Sequence, residues 1–181
     1  MGYAMINSGS LREAISIFEQ FINTLSPLIS VSILEENNRL QVNFTDNFDF
    51  SPIKATFSEA LILTFMNILL QISFGEIGII KVEFDYNEPE YRSLYDDYFN
   101  CDVQFSSKTT TLVLSTKGMD DSLKMSDPTS LQQARLLCEK ELEKMGNLDT
   151  LTQKIKELML LSVGHFPSLK KTAHRFHMSS R

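Results

Sequence analysis

The chain has 181 residues, of which 43% are hydrophobic and 22% charged, with a net charge of -6 and a pI near 5.1. That size and balance describe a globular polypeptide with one sizeable core. The acidic excess argues against a protein that coats nucleic acid, which needs surplus Lys and Arg to neutralise phosphates.

The start, Met1-Gly2-Tyr3-Ala4-Met5-Ile6, lacks the positive flank and long apolar run of a signal peptide. Ser10, with Glu13 three residues on, has the capping-box pattern. Leu11, Ala14, Ile15, Phe18, Phe21, Ile22 and Leu25 then recur at helical spacing, predicting an amphipathic helix over 11–25 that ends before Pro27. From there the period changes to two: Ile29, Val31 and Ile33, then Leu40, Val42 and Phe44, with Glu35 to Asn38 as the turn of a hairpin buried on one face.

Ser51-Pro52 supplies a cap and a first-turn proline for a helix to about Phe74, apolar nearly all round and therefore central. Asn67, Gln71, Gly75 and Glu76 interrupt the apolar stretch from Ala60 to Ile80 before the ~20 residues of a membrane span, so it reads as a buried helix and a strand. In that strand Ile80, Val82, Phe84 and Tyr86 share one face and Lys81, Glu83 and Asp85 the other, solvated one. Pro89 opens a short helix carrying the stripe Tyr91, Leu94, Tyr95 and Tyr98. Cys101, Val103 and Phe105 form the next strand and Leu112 and Leu114 the last, joined by a polar turn over 106–109. The order hairpin, helix, strand, helix, hairpin predicts an α+β fold with a five-stranded mixed or antiparallel sheet and helices packed on it.

Past a polar loop, Asp127-Pro128 opens a helix that Gly146-Asn147 stops, and a second helix is predicted from about Leu148 to Val163 with Leu148, Leu151, Ile155 and Leu158 inward. From His165 onward there are four cations (Lys170, Lys171, Arg175 and Arg181) and no carboxylate, leaving 13 basic against 23 acidic side chains before it. Ser168 caps a helix in which Ala173, Phe176 and Met178 would pack as the opening of a helix-turn-helix, and Ser179 is placed to cap a second helix. The base-reading second helix is not among these residues, so the expectation is a chain truncated within the helix-turn-helix.

The tyrosine stripe with Tyr86 and Phe99 is a candidate aromatic pocket for a small ligand, with Tyr86, Tyr91, Tyr95 and Phe99 as its binding residues. The bland alternative is that aromatics at helical spacing are core. Glu83, Asp85, Asn87 and Glu90 read as surface acids and amides rather than a sugar site. His165, His174 and His177 have no cysteine or carboxylate beside them and read as a solvated face or phosphate contacts, not a metal site. Cys101 and Cys138 are far apart, without a CxxC pair, and predict reduced thiols in a cytoplasmic protein. With no nucleophile motif, HExxH or phosphate loop, the chain reads as a non-enzyme without a cofactor.

Three blocks in order carry a family resemblance: Gly2-Tyr3-Ala4-Met5 with Ser8, Leu11, Glu13 and Ala14; Val82 to Tyr86 with Pro89, Tyr95, Phe99 and Val103-Gln104-Phe105; and Pro167-Ser168-Leu169 with Ala173 and Met178 to Arg181. Together they resemble the arabinose-binding-like regulatory domain of AraC-type bacterial transcription regulators, running into the start of the DNA-binding domain. A histidine frequent in the family after the strand of Val82 and Phe84 is replaced here by Tyr86 or Asn87. The resemblance implies three parts: a ligand-sensing α+β domain (1–127), linker and dimerisation helices (128–164), and the start of a truncated helix-turn-helix (165–181). It implies a small-molecule effector, a homodimer held through Leu148, Leu151, Ile155 and Leu158, and DNA reached only through the missing helix-turn-helix, with Lys170, Lys171 and Arg175 on phosphates and no membrane. The competing readings are a pure protein-interaction module without a small ligand and an unrecognised enzyme.

Overall fold

The computed structural model describes residues 1–147, 154–155, 158–159, 162, 167–176 and 178–179. Two compact units divide the chain, Met1–Cys138 and Glu139–Arg181. In the first, α1 (Gly2–Ile6) leads to α2 (Leu11–Leu25), the hairpin β1 (Ile29–Glu36) and β2 (Arg39–Asp46), then α3 (Lys54–Ile72), β3 (Ile79–Glu83), α4 (Ser93–Phe99), β4 (Asp102–Gln104) and β5 (Thr110–Ser115). The helix α5 (Pro128–Asn147) supplies Ala134 and Cys138 to the same core.

The capping box sets α2, with a small shift. Ser10 accepts the Glu13 amide, but the Glu13 carboxylate reaches back one residue further, to the Gly9 amide at 2.7 Å. Its other oxygen takes Arg135 at 2.9 Å, which ties α2 to α5. The hairpin turns on Asn37 and Asn38, both left-handed (φ 52° and 60°), the conformation a two-residue hairpin loop requires and asparagine tolerates.

The sheet has five strands in the order β1-β2-β5-β3-β4, antiparallel except for β3 beside β4. The class is α+β and the sheet mixed, as expected, but the second hairpin is not formed: β3 lies between β4 and β5. The burial pattern explains why. From Thr110 to Leu114 every residue of β5 is buried, which suits a central strand paired on both edges, whereas three-residue β4, with Asp102 and Gln104 exposed, suits an edge. One row crosses all five strands on the inner face, Ile33, Val42, Leu112, Val82 and Val103. A register shift between Ile79 and Lys81 sets Ile79, not Ile80, opposite Leu114, correcting the simple alternation.

Helix α3 starts later than expected. Ser51 does not cap it: Ser51-Pro52 is a cis peptide, the Ile53 amide closes a turn on the Phe50 carbonyl, and Ile53 holds the cap position without a side-chain bond. At the other end, left-handed Phe74 (φ 54°) and the Gly75 amide on the Leu70 carbonyl at 2.8 Å close the helix in a Schellman-type turn. Among the described residues α3 is the one helix long and apolar enough to cross a membrane by length and composition. Here it is a core helix on one side, burying Ile62, Phe65, Met66, Leu69 and Ile72. It is not apolar all round, because Thr56, Ala60, Thr64, Asn67 and Gln71 make an exposed stripe. Phe18, Phe44 and Phe65 join α2, β2 and α3, with ring centroids 4.2 to 6.2 Å apart.

In the second unit, α6 (Leu169–Arg175) is capped by Ser168, which accepts the Lys171 amide. Thr172 is its buried residue, while Met178 is half exposed and does not pack as expected.

Candidate functional site

The candidate site grows from the connection between β3 and β4. The chain leaving β3 continues its pairing: the Phe84 amide donates to Gln104 at 2.8 Å, Ser107 to the Phe84 carbonyl at 3.0 Å and Ser106 to Tyr86 at 2.9 Å. This holds Phe84 and Tyr86 inward. After Pro89 a helical turn leads into α4, which ends at Asn100 in the left-handed conformation. A spacing of four places Tyr91, Tyr95 and Phe99 in line, so their rings form a ladder: 6.0 Å between Tyr91 and Tyr95 and 5.5 Å between Tyr95 and Phe99, both near parallel.

Fully buried Phe84 is the hub behind the ladder, with ring contacts at 5.0 to 5.9 Å to Tyr86, Tyr95, Phe99 and Phe105. Tyr95 and Phe99 are buried, whereas Tyr91, Leu94 and Tyr98 stand exposed above them.

Facing the ladder, Glu59 of α3 gathers the phenols. Its Oε1 accepts from Tyr95 in a short hydrogen bond, from Tyr91 at 3.0 Å and from Tyr86 at 3.4 Å, and the Tyr86 and Tyr95 hydroxyls lie 3.0 Å apart. Burial pushes the Tyr95 and Tyr86 phenols well above the ordinary tyrosine range, and the hydrogen bond to Glu59 adds to this at Tyr95. Burial and then Glu59 also raise Tyr91. All three therefore remain neutral donors at physiological pH.

Between α3 and α4 runs an open groove of about 180 Å³, with Glu59 and Leu63 on one wall, Tyr91, Leu94 and Tyr98 on the other, and Tyr95 and Phe99 at its base. Leu63, Tyr98 and Phe99 are shared with a second hollow of about 440 Å³ that continues toward Leu70 and Ile77. Apolar walls, ring faces and one carboxylate can hold a small ligand with an apolar body.

Of the residues expected to bind, Tyr91, Tyr95 and Phe99 line the groove, and Tyr86 stands behind them with its hydroxyl in the Glu59 cluster. Leu94 and Tyr98 of the same stripe line it too, whereas Glu59 and Leu63 were not among the candidates. A signal for Glu59 existed, since it is the single charged residue between Lys54 and Glu76. Two of the acids outside the groove are engaged elsewhere. Asp85 is not on a solvated face but pairs with Lys54 at 2.7 Å and accepts from Thr110 at 3.0 Å; Glu83 pairs with Lys81. Burial works against the Lys54 charge, yet Asp85 and Asp46 raise its pKa overall.

Leu148 and Leu151 lie outside the described residues, as do His165 and His177; Leu158 is buried and Ile155 half-buried. Lys170, Lys171 and Arg175 are exposed on α6.

Residues 1–123, which include the whole sheet, the groove and its aromatic hub, match the family model described as the arabinose-binding domain of AraC transcription regulators, N-terminal. The chain belongs to this family. Over its full 181 residues this AraC-type chain is 20% identical to the ornithine utilization regulator of Pseudomonas aeruginosa, covering 53% of that protein. Its fold is similar to the crystal structure of the transcriptional regulator CdpR from Pseudomonas aeruginosa, with a TM-score of 0.65 at 15% identity, over 99% of this chain and 59% of that one. This member of the family thus spans a little over half the length of these relatives.

Proposed function

We propose that this chain is the effector-sensing part of an AraC-type transcription regulator, and that a small molecule binds in the groove between α3 and α4. The observation that carries the reading is the Glu59 cluster: a carboxylate whose Oε1 takes three phenol donors on one wall of an otherwise apolar groove. Binding there would couple α3, which is part of the core, to α4, which is held mainly by the ring cluster. An effector that fits one spacing of these helices better than another biases the two by its differential affinity. We place the output in the second unit, where Ile155 and Leu158 would serve a homodimer together with Leu148 and Leu151. Lys170, Lys171 and Arg175 would rest on DNA phosphates beside the base-reading helix of the complete regulator. The reading is of a non-enzymatic protein acting in the cytoplasm, where the DNA is.

The test is a thermal-shift screen of this chain against metabolites, since a native-state ligand raises stability by mass action. Stabilisation by a metabolite that vanishes in Leu63→Trp, whose indole fills the groove, supports the reading. Stabilisation that survives Leu63→Trp places the ligand elsewhere.

A second reading has its own observation. Tyr91, Leu94 and Tyr98 are 42%, 50% and 66% exposed along one face of α4 and its preceding turn, as they would be if a protein partner covered them. In that case Leu94→Glu weakens a protein complex and no metabolite shifts the melting temperature.

A further inference from the structure

We propose that the groove between α3 and α4 selects a cationic ligand: an apolar or aromatic body carrying an ammonium or guanidinium head that seats on the Oε2 oxygen of Glu59. The inference rests on the reading of the groove as a ligand site and names the chemistry it takes.

Charge is the first argument. Glu59 is the one charged side chain lining the groove and the hollow that continues it. The neighbouring cations are already committed. Lys54 lies between Asp46 and Asp85 at 2.9 and 2.7 Å, and Arg92 pairs with Asp96 at 2.7 Å with its guanidinium 5.9 Å from the Phe105 ring centre. An anionic ligand would therefore meet a carboxylate with no compensating cation, whereas a cationic one completes the pair.

Geometry is the second. The phenols of Tyr86, Tyr91 and Tyr95 converge on Oε1 alone, fixing the carboxylate in one orientation, and no donor among the described residues approaches Oε2. The rings of Tyr91, Tyr95 and Phe99 line the same groove as Glu59, and ring faces attract cations as well as apolar groups. A sugar fits poorly, because the lining offers one carboxylate and tyrosine hydroxyls, of which Tyr91 and Tyr95 are already spent on Glu59.

The experiment uses three probes of matched shape, phenethylamine, 2-phenylethanol and 3-phenylpropanoate, titrated into the 181-residue chain by calorimetry or ligand-observed NMR at neutral pH. The amine is expected to bind about tenfold more tightly than the alcohol, a difference of about 1.4 kcal/mol, and the acid most weakly. Glu59→Gln, nearly isosteric, removes the amine's advantage over the alcohol. The wild-type ranking stands by itself if that variant does not fold. Equal binding of all three, or preference for the acid, overturns the cationic assignment; the groove itself stands as a site if Leu63→Trp abolishes that binding. No binding of any probe at millimolar concentration, or binding untouched by Leu63→Trp, overturns the groove as their site and the assignment with it.

Discussion

Replacing Phe84 by alanine removes the ring that holds the aromatic ladder in place. The side chain is fully buried and touches four other rings. A phenylalanine of this kind buries roughly 150–250 Å², which at about 25 cal/mol/Å² sets an upper bound of about 4–6 kcal/mol. Alanine keeps part of that area but leaves a cavity, and Phe→Ala changes in cores cost about 3–5 kcal/mol. A loss of about 4 kcal/mol is a large share of the 5–15 kcal/mol typical of a domain. Urea denaturation followed by tyrosine fluorescence is the assay, because there is no tryptophan and Tyr3, Tyr86, Tyr91, Tyr95 and Tyr98 all lie in the Met1–Cys138 unit. With a slope near 2 kcal/mol/M, the midpoint falls by about 2 M. Tyr98→Ala, at a side chain 66% exposed, should cost under about 1 kcal/mol. A Phe84→Ala variant that loses less than about 1 kcal/mol with an unchanged slope refutes the hub.

Three further outcomes are expected. Ser10→Ala removes the side-chain cap of α2 and lowers stability by about 1 kcal/mol in the same assay. The raised phenols of Tyr86, Tyr91 and Tyr95 bind their protons more tightly in the folded state than in the unfolded one. Their contribution is therefore complete below the ordinary tyrosine value of about 10 and is lost as pH climbs above it, so the melting temperature falls progressively above about pH 10. A flat profile there counts against the cluster. Burial first, and nearby Asp102 second, push the Cys101 thiol up to about 11. At pH 8 only about a thousandth is thiolate, and Cys101 should react with a maleimide far more slowly in the folded chain than in urea.

The parts of this fold legible from the sequence are those set by neighbours along the chain. Ser10, Glu13 and the apolar stripe behind them marked α2 from Leu11 to Leu25, and period-two alternation on either side of the polar run from Glu35 to Asn38 marked the first hairpin, whose turn narrows to Asn37 and Asn38. What escaped was set by distant partners. Alternation in β4 and β5 revealed two strands but not that β3 would come between them, since pairing is chosen across the sheet. Ser51 offered a hydroxyl that the turn at Phe50–Ile53 left unused. The site divides in the same way. Tyr91, Tyr95 and Phe99 were visible as a helical stripe, but spacing alone does not distinguish a groove from a packed core. The distinction comes from α3, where Glu59 and Leu63 stand opposite, and Glu59 meets phenols 27 to 36 residues further along the chain.

The central claim is that an effector sits between α3 and α4. Its most direct test is a crystal structure of the chain bound to the metabolite that gives the largest thermal shift. Ligand density is expected against Leu63 and the Tyr95 and Phe99 rings, with a polar atom within hydrogen-bonding reach of Glu59. Ligand density elsewhere on the chain, with this groove empty, would contradict it.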